Sequence, residues 1–203
     1  MSTTILLDTN AYLRLAKRIQ PLLGKKFNPV KDYVLIVLRE VADEVHRQPR
    51  LVHQYPWFDD AEYTEERKRY GARLTKGQKD EAAENKKFLL SHVAQHARAY
   101  LVQGRDPPSD TDCYVLGVAM ACNWCVATDD ENMRALGKDF EVQCLYAFDV
   151  LHKLLSAGMI DKAKVIEIYE ALEANGDMTV RWIDAKGKLF KKVFGSSRAK
   201  RSD

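Results

Sequence analysis

No stretch of this 203-residue sequence stays apolar for the ~18–20 residues needed to cross a bilayer. The opening MSTTILLDTN has neither a basic n-region nor a long apolar core, so it does not read as a secretory signal. A glycine-rich phosphate loop of the P-loop type is missing, and no glutamate sits between His92 and His96 as a zinc-protease helix would require. Internal repeats and a sharp linker are missing too. Cysteine is scarce, and Cys113, Cys122, Cys125 and Cys144 all fall inside apolar segments. Without a signal they are expected as reduced, buried thiols. The Cys122-x-x-Cys125 spacing joins a helix end to a strand start and lacks a zinc knuckle turn. The expected compartment is the cytoplasm. A strong charge imbalance is also lacking: the net charge is +3. It is unevenly spread, because residues 181–203 hold eight Lys or Arg against two Asp and leave the remainder slightly acidic.

What the chain does have is a core-forming composition, 46% apolar, and a repeated local pattern of apolar strand, acid, helix. Asp8 lies in ILLDTNAYLRL, Glu40 in VLIVLREVADEV, Asp112 in PPSDTDCYVLGVAMA, and Asp130, beside Asp129, in WCVATDDENMRAL. In a parallel α/β sheet such positions converge on the carboxyl edge of the strands, where ligands bind. Carboxylates gathered there repel one another unless a cation lies between them, and oxygen donors select a hard divalent ion such as Mg²⁺ or Mn²⁺. That chemistry points to phosphoryl transfer on a nucleic acid or nucleotide.

Periodicity supplies the surrounding elements. Residues 4–7, 33–37, 124–127 and 142–146 read as strands. Helical spacing follows at 8–16, in the segment holding Glu40, at 109–121 (capped by Ser109 or Asp110), briefly to Leu136, at 148–157 and again after Asp161. The clearest amphipathic helix is 79–103, stopped by Gly104 and Pro107–Pro108. Residues 49–60 break the pattern and 61–77 are charged and weakly periodic, while the last stretch is basic and loses periodicity. The alternation of strand and helix predicts a parallel sheet with right-handed crossovers.

The order and spacing of the acids over residues 4–145 resemble a PIN-domain ribonuclease. Asp8–Thr9–Asn10 matches that family's opening signature, Glu40 in VLREV its second-helix glutamate, Thr111–Asp112 its third acid, and Thr128–Asp129–Asp130 its closing turn. KLLSAGMIDKAKVIEIYEALEANG is similar to the helix–Gly–helix tail of some prokaryotic PIN proteins. The resemblance implies an α/β, PIN-like three-layer fold with a central parallel sheet flanked by helices, plus C-terminal helices. It divides the chain into a nuclease domain at 1–147 with a helical insertion at about 48–105, a helical extension at 148–180 and a basic tail at 181–203. It implies a metal-dependent endoribonuclease, with one or two Mg²⁺ or Mn²⁺ ions held by Asp8, Glu40, Asp112 and Asp130. Thr9, Asn10 and Thr128 would steady those carboxylates by hydrogen bonds, and Ser109 and Asp110 would do likewise or cap the helix. Asp129 substitutes if Asp130 points away. Glu44 lies on the face of Glu40 and can reach the same pocket, but Glu40 is nearer the strand end. The implied setting is the toxin of a toxin–antitoxin pair: RNA as substrate, a small antitoxin protein as partner, a homodimer, no membrane. The alternatives are a PIN nuclease of RNA processing or DNA cleavage, and an inactive RNA-binding or scaffolding module.

Other features have plainer readings. His92 and His96 suit a solvated or RNA-facing surface, Tyr55–Pro56–Trp57–Phe58 suits packing under the insertion, and Lys86–Lys87 suits a wet helix face. Phe190 and Phe194 in the basic tail either stack on bases or dock on the body.

Overall fold

The structure, a computed structural model, describes residues 3–27, 32–101 and 106–195. Gly104 and the end of the expected 79–103 helix, together with tail residues 196–203, lie outside the described residues. The sheet is built from β1 (Thr3–Leu7), β2 (Lys26–Phe27), β3 (Tyr33–Val37), β4 (Cys125–Ala127) and β5 (Cys144–Leu145), in the order β2-β3-β1-β4-β5. All neighbouring pairs are parallel except the edge pair β2–β3. The register puts Leu7 opposite both Val37 and Ala127, and Ala127 opposite Leu145. Four strands therefore end level, and the residues that follow them share one edge.

β1 is central and buried on both faces, which is why it reads as an unbroken apolar run. Its alternate side chains serve two cores. Ile5 and Leu7 face helices α1 (Thr9–Ala16), α2 (Arg39–Arg47), α8 (Ala147–Ser156), α9 (Lys162–Ala174) and α10 (Val180–Lys188). Leu6 faces α5 (Lys76–Gln95), α6 (Asp110–Cys122) and α7 (Glu131–Asp139). The result is a three-layer α/β fold with a mostly parallel sheet between helical layers. No helix among the described residues is long and apolar enough to span a membrane.

Three segments differ from the sequence expectation. Residues 49–70 are helical: α3 (Pro49–Gln54) starts with proline in its first turn, and α4 (Ala61–Tyr70) buries only Tyr63 and Glu66, too few residues to leave a periodic trace. Trp57 and Phe58 between them are buried. The long amphipathic helix stops at Gln95. There the chain turns so that buried Tyr100 donates to Asp139 at 2.7 Å and meets His92 Nε2 at 2.9 Å, which ties His92 to packing. Finally, the basic segment keeps a helical course through α10 and α11 (Lys191–Phe194), with Trp182 and Phe190 fully buried. β2, two residues long, has no counterpart in the sequence reading. Of the cysteines, Cys113 and Cys125 are buried, and Cys122 and Cys144 are half-buried.

α5 and α6 pack backbone to backbone at Gly117, where a Cβ would fall 2.8 Å from the Ala82 carbonyl oxygen and 3.1 Å from the Lys86 nitrogen. Backbone atoms yield poorly, so Gly117→Ala is expected to destabilise the fold by about 1–3 kcal/mol. Urea denaturation checks this, and an unchanged midpoint would refute the close approach.

Candidate active site

Each acid at the level edge is held by the start of the helix that follows its strand or loop. Asp8 leaves β1 and caps α1, its Oδ1 accepting from the Ala11 amide at 2.6 Å. Asp130 caps α7, accepting from the Met133 amide at 2.8 Å. Asp112 sits in the first turn of α6 in a capping box: its Oδ2 accepts from the Ser109 amide at 2.8 Å, and Ser109 Oγ accepts from the Asp112 amide at 3.2 Å. One carboxylate oxygen of each thus accepts from the backbone, which fixes the side chain.

Electrostatics bring these positions together. Burial pushes the Asp8 carboxyl up to about 8, against hydrogen bonds from Thr128 and Ala11, and the Asp129 and Asp112 charges push the same way. Burial likewise raises Asp112 to about 6, against the Ser109 hydrogen bonds, with Asp130 and Glu44 adding repulsion. Asp8 is 4% exposed, so its charge is poorly solvated. Thr128, fully buried, accepts from the Asp130 amide at 3.0 Å and turns its hydroxyl to Asp8, linking two of the acids.

Helix α2 carries both glutamates of the expectation on one face. Glu44 is tied to this cluster: Thr9 Oγ1 donates to Glu44 Oε2 at 2.5 Å, Gln48 donates to Oε1 at 3.1 Å, and Glu44 repels Asp112. Glu40, one turn earlier on the same face, adds to burial in raising the Tyr114 phenol. Four residues carry Glu44 a full turn along the axis to where Thr9 of α1 stands. Asn10 is exposed, and Asp110 points away to Lys86 at 2.7 Å.

Asp129 and Asp130, adjacent in sequence, have separate jobs. Both oxygens of Asp129 are taken: Oδ1 accepts from the Ala147 amide at 2.9 Å, and Oδ2 accepts from Trp182 Nε1 at 2.8 Å and from the Arg14 guanidinium. It joins α1, α8 and α10, while Asp130 caps α7 and repels Asp112. The sequence reading missed Arg14, Trp182 and Arg47, whose Nη2 approaches Thr111 Oγ1 at 3.4 Å beside Asp112. Arg14 had one local signal, as the single charged residue of α1.

The donors are all hard carboxylate oxygens, the type that suits Mg²⁺ or Mn²⁺. Among the described residues no three His, Cys, Asp or Glu side chains are disposed to hold an ion, so the acids converge without closing on a coordination sphere.

No protein-family model matches the chain, and no curated protein matches it. Among solved structures, it is similar to a chain in the crystal structure of FitAcB from Neisseria gonorrhoeae, at 14% identity over 71% of this chain and 98% of that one, with a TM-score of 0.43.

Two outcomes follow. Asp8 and Asp112 bind protons more tightly folded than unfolded, where Asp titrates near ~3.9. In metal-free buffer stability is therefore greatest at the acid end of the window and falls as pH rises from about 4 toward 8, with Asp8 acting over the whole range and Asp112 up to about 6. Asp8→Asn should flatten the fall in urea midpoints, and an equal slope in that variant would refute the burial argument. Asp129→Ala, which strands Arg14 without its partner, should cost about 3–5 kcal/mol in the same assay, and a loss under 1 kcal/mol would show the node to be ornamental.

Proposed function

We propose that this chain is a metal-dependent endonuclease acting on RNA. The observation that carries the proposal is the convergence of Asp8, Asp112, Asp130 and Glu44 at the carboxyl edge of a parallel sheet, with Asp8 and Asp112 pushed up the pH scale by burial and mutual repulsion. Keeping such charges together is unfavourable unless a cation offsets them. A bound Mg²⁺ or Mn²⁺ supplies polarisation of the scissile phosphate and an acidified water. The protein's part is to hold the four carboxylates, with Thr128 and Thr9 fixing the orientation of Asp8 and Glu44. Arg47 at the rim offers a positive contact for the phosphate backbone.

RNA as substrate, a homodimer, a small antitoxin partner and the role of toxin extend the proposal through the PIN-like order of motifs. A second reading is an RNA-binding module without catalysis. It is favoured by one observation, that the described acids do not close on an ion site.

Cleavage of mixed single-stranded and structured RNA and DNA, with Mg²⁺, with Mn²⁺ and with EDTA, separates the readings. The expected result is metal-dependent cutting of RNA that is lost in Asp8→Asn and Asp112→Asn. Glu44→Gln should lose more activity than Glu40→Gln. RNA binding that survives in all variants, with no cutting by the wild type, would establish the second reading.

A further inference from the structure

A second recess lies on the same edge of the sheet, on the far side of α2 from the acids. Its volume is about 380 Å³, within the range that takes small ligands. Its floor is apolar, made by Val37 and Leu38 at the end of β3, Ala42 of α2, and Ala72. The 71–72 segment is pinned to the sheet, with Gly71 bridged to Val37 and the Ala72 amide donating to the Val37 carbonyl at 2.9 Å. The walls are basic. Arg39, Arg67, Lys68 and Arg73 line it, with Asp59 the carboxylate among the described lining residues; Lys68 also pairs with Glu65 at 2.9 Å and Arg39 lies 3.9 Å from Asp43.

Arg67 is the unusual member. Its side chain is 9% exposed, and its guanidinium lies 3.8 Å from the Phe58 ring centroid. It reaches two hydroxyls, of Tyr12 and Thr64, each at 3.3 Å. The Asp59 carboxylate is 3.8 Å away, beyond hydrogen-bond range, and is itself exposed and bonded to His46 at 2.9 Å. A buried guanidinium without a hydrogen-bonded carboxylate attracts an anion more strongly than a solvated one does.

Helix α2 connects this recess to the acids. Arg39, Ala42 and His46 recur at three and four residues and face the recess. Glu40 and Glu44 share another face, and Arg47 reaches over to Thr111 beside Asp112. Arg39 and Arg47 stand two turns apart, ~12 Å along the helix, one at the rim of each site. A chain of phosphates lying over α2 would meet cations at both ends.

We propose that this recess is a nucleotide subsite, taking the base of a residue near the scissile bond on its apolar floor and the adjoining phosphate on its arginine wall. The assignment rests on the nuclease reading for its substrate but is tested by binding. A guanidinium wall suits both parts of such a ligand, since arginine pairs with phosphate and stacks on base faces. An acidic peptide would use the cations but has no need of a floor placed on the edge that carries the acids.

The test is fluorescence anisotropy with a short labelled single-stranded RNA in EDTA, so that binding is read without cleavage. Arg67 is left unchanged because it packs on Phe58. Arg73→Ala is expected to weaken binding several-fold and to lower the slope of log K against log salt by about one. Ala42→Leu, which fills the floor, should weaken binding with the slope unchanged. Asp59→Asn should tighten it, and Lys87→Glu on α5, in the opposite helical layer, should leave it as in the wild type. Wild-type affinity in both Arg73→Ala and Ala42→Leu would overturn the subsite while leaving metal-dependent cleavage by the unaltered protein intact. Failure of the unaltered protein to bind RNA at all would overturn the subsite and the RNA reading together.

Discussion

The Asp129 carboxylate is the point on which the carboxyl edge of the sheet depends. It is nearly buried and receives hydrogen bonds from Arg14 of α1, the first amide of α8 and the Trp182 indole of α10. A buried ion pair is expensive to form, and its usual gain is one specified arrangement rather than net stability. Here the arrangement is the β4–α7 turn, whose next residue is Asp130 and whose preceding residue is Thr128. Fixing the middle residue fixes both neighbours, so Asp129 sets the direction of Asp130. The C-terminal helices reach the site by this route. Trp182 packs edge-on against Phe148 and Tyr169, and Arg181 meets Glu131 at 2.8 Å, so α10 is seated against the same turn.

The acids themselves show how one residue type serves fold and chemistry together. An aspartate that caps a helix gains from the backbone amides and from the helix dipole. That gain goes some way to offset the cost of burying its charge beside others. Asp8, Asp112 and Asp130 all sit at helix starts, so each is stabilised locally while the group is strained collectively. The strain is visible in Asp8, whose carboxyl is lifted to about 8 despite accepting from Ala11 and Thr128. Helix starts are the positions where a protein can gather anions with least loss, and the level strand ends of a parallel sheet line those starts up.

This division explains what could be read from the sequence. β1 and β3 were legible because both are short apolar runs closed by a helix start, and Asp8, Asp112 and Asp130 were legible because each carries its cap signal locally. The two-residue β2 was not, since a strand that short leaves no alternation to detect. The helices of the basic end were hidden because α10 buries Trp182 and Ala185 but exposes Val180 and Ile183, so its apolar residues do not form one stripe. Arg14 and Asp129 are far apart in the chain, and no local pattern announces a tertiary ion pair.

The choice between Glu40 and Glu44 marks where sequence reasoning ends. Both lie on one face of α2 and both are half-buried. Proximity to the strand end favours Glu40, because in a parallel sheet the functional edge is the carboxyl edge. What favours Glu44 is α1: Thr9, the residue after Asp8, is held at the start of that helix and puts its hydroxyl where Glu44 can accept it. Asp8 and Glu44 are thus coupled through adjacent residues of one helix start, and the same turn that presents the first acid selects the second. A helix face supplies several candidate acids, whereas the neighbouring element supplies the hydrogen bond that makes one of them part of the site.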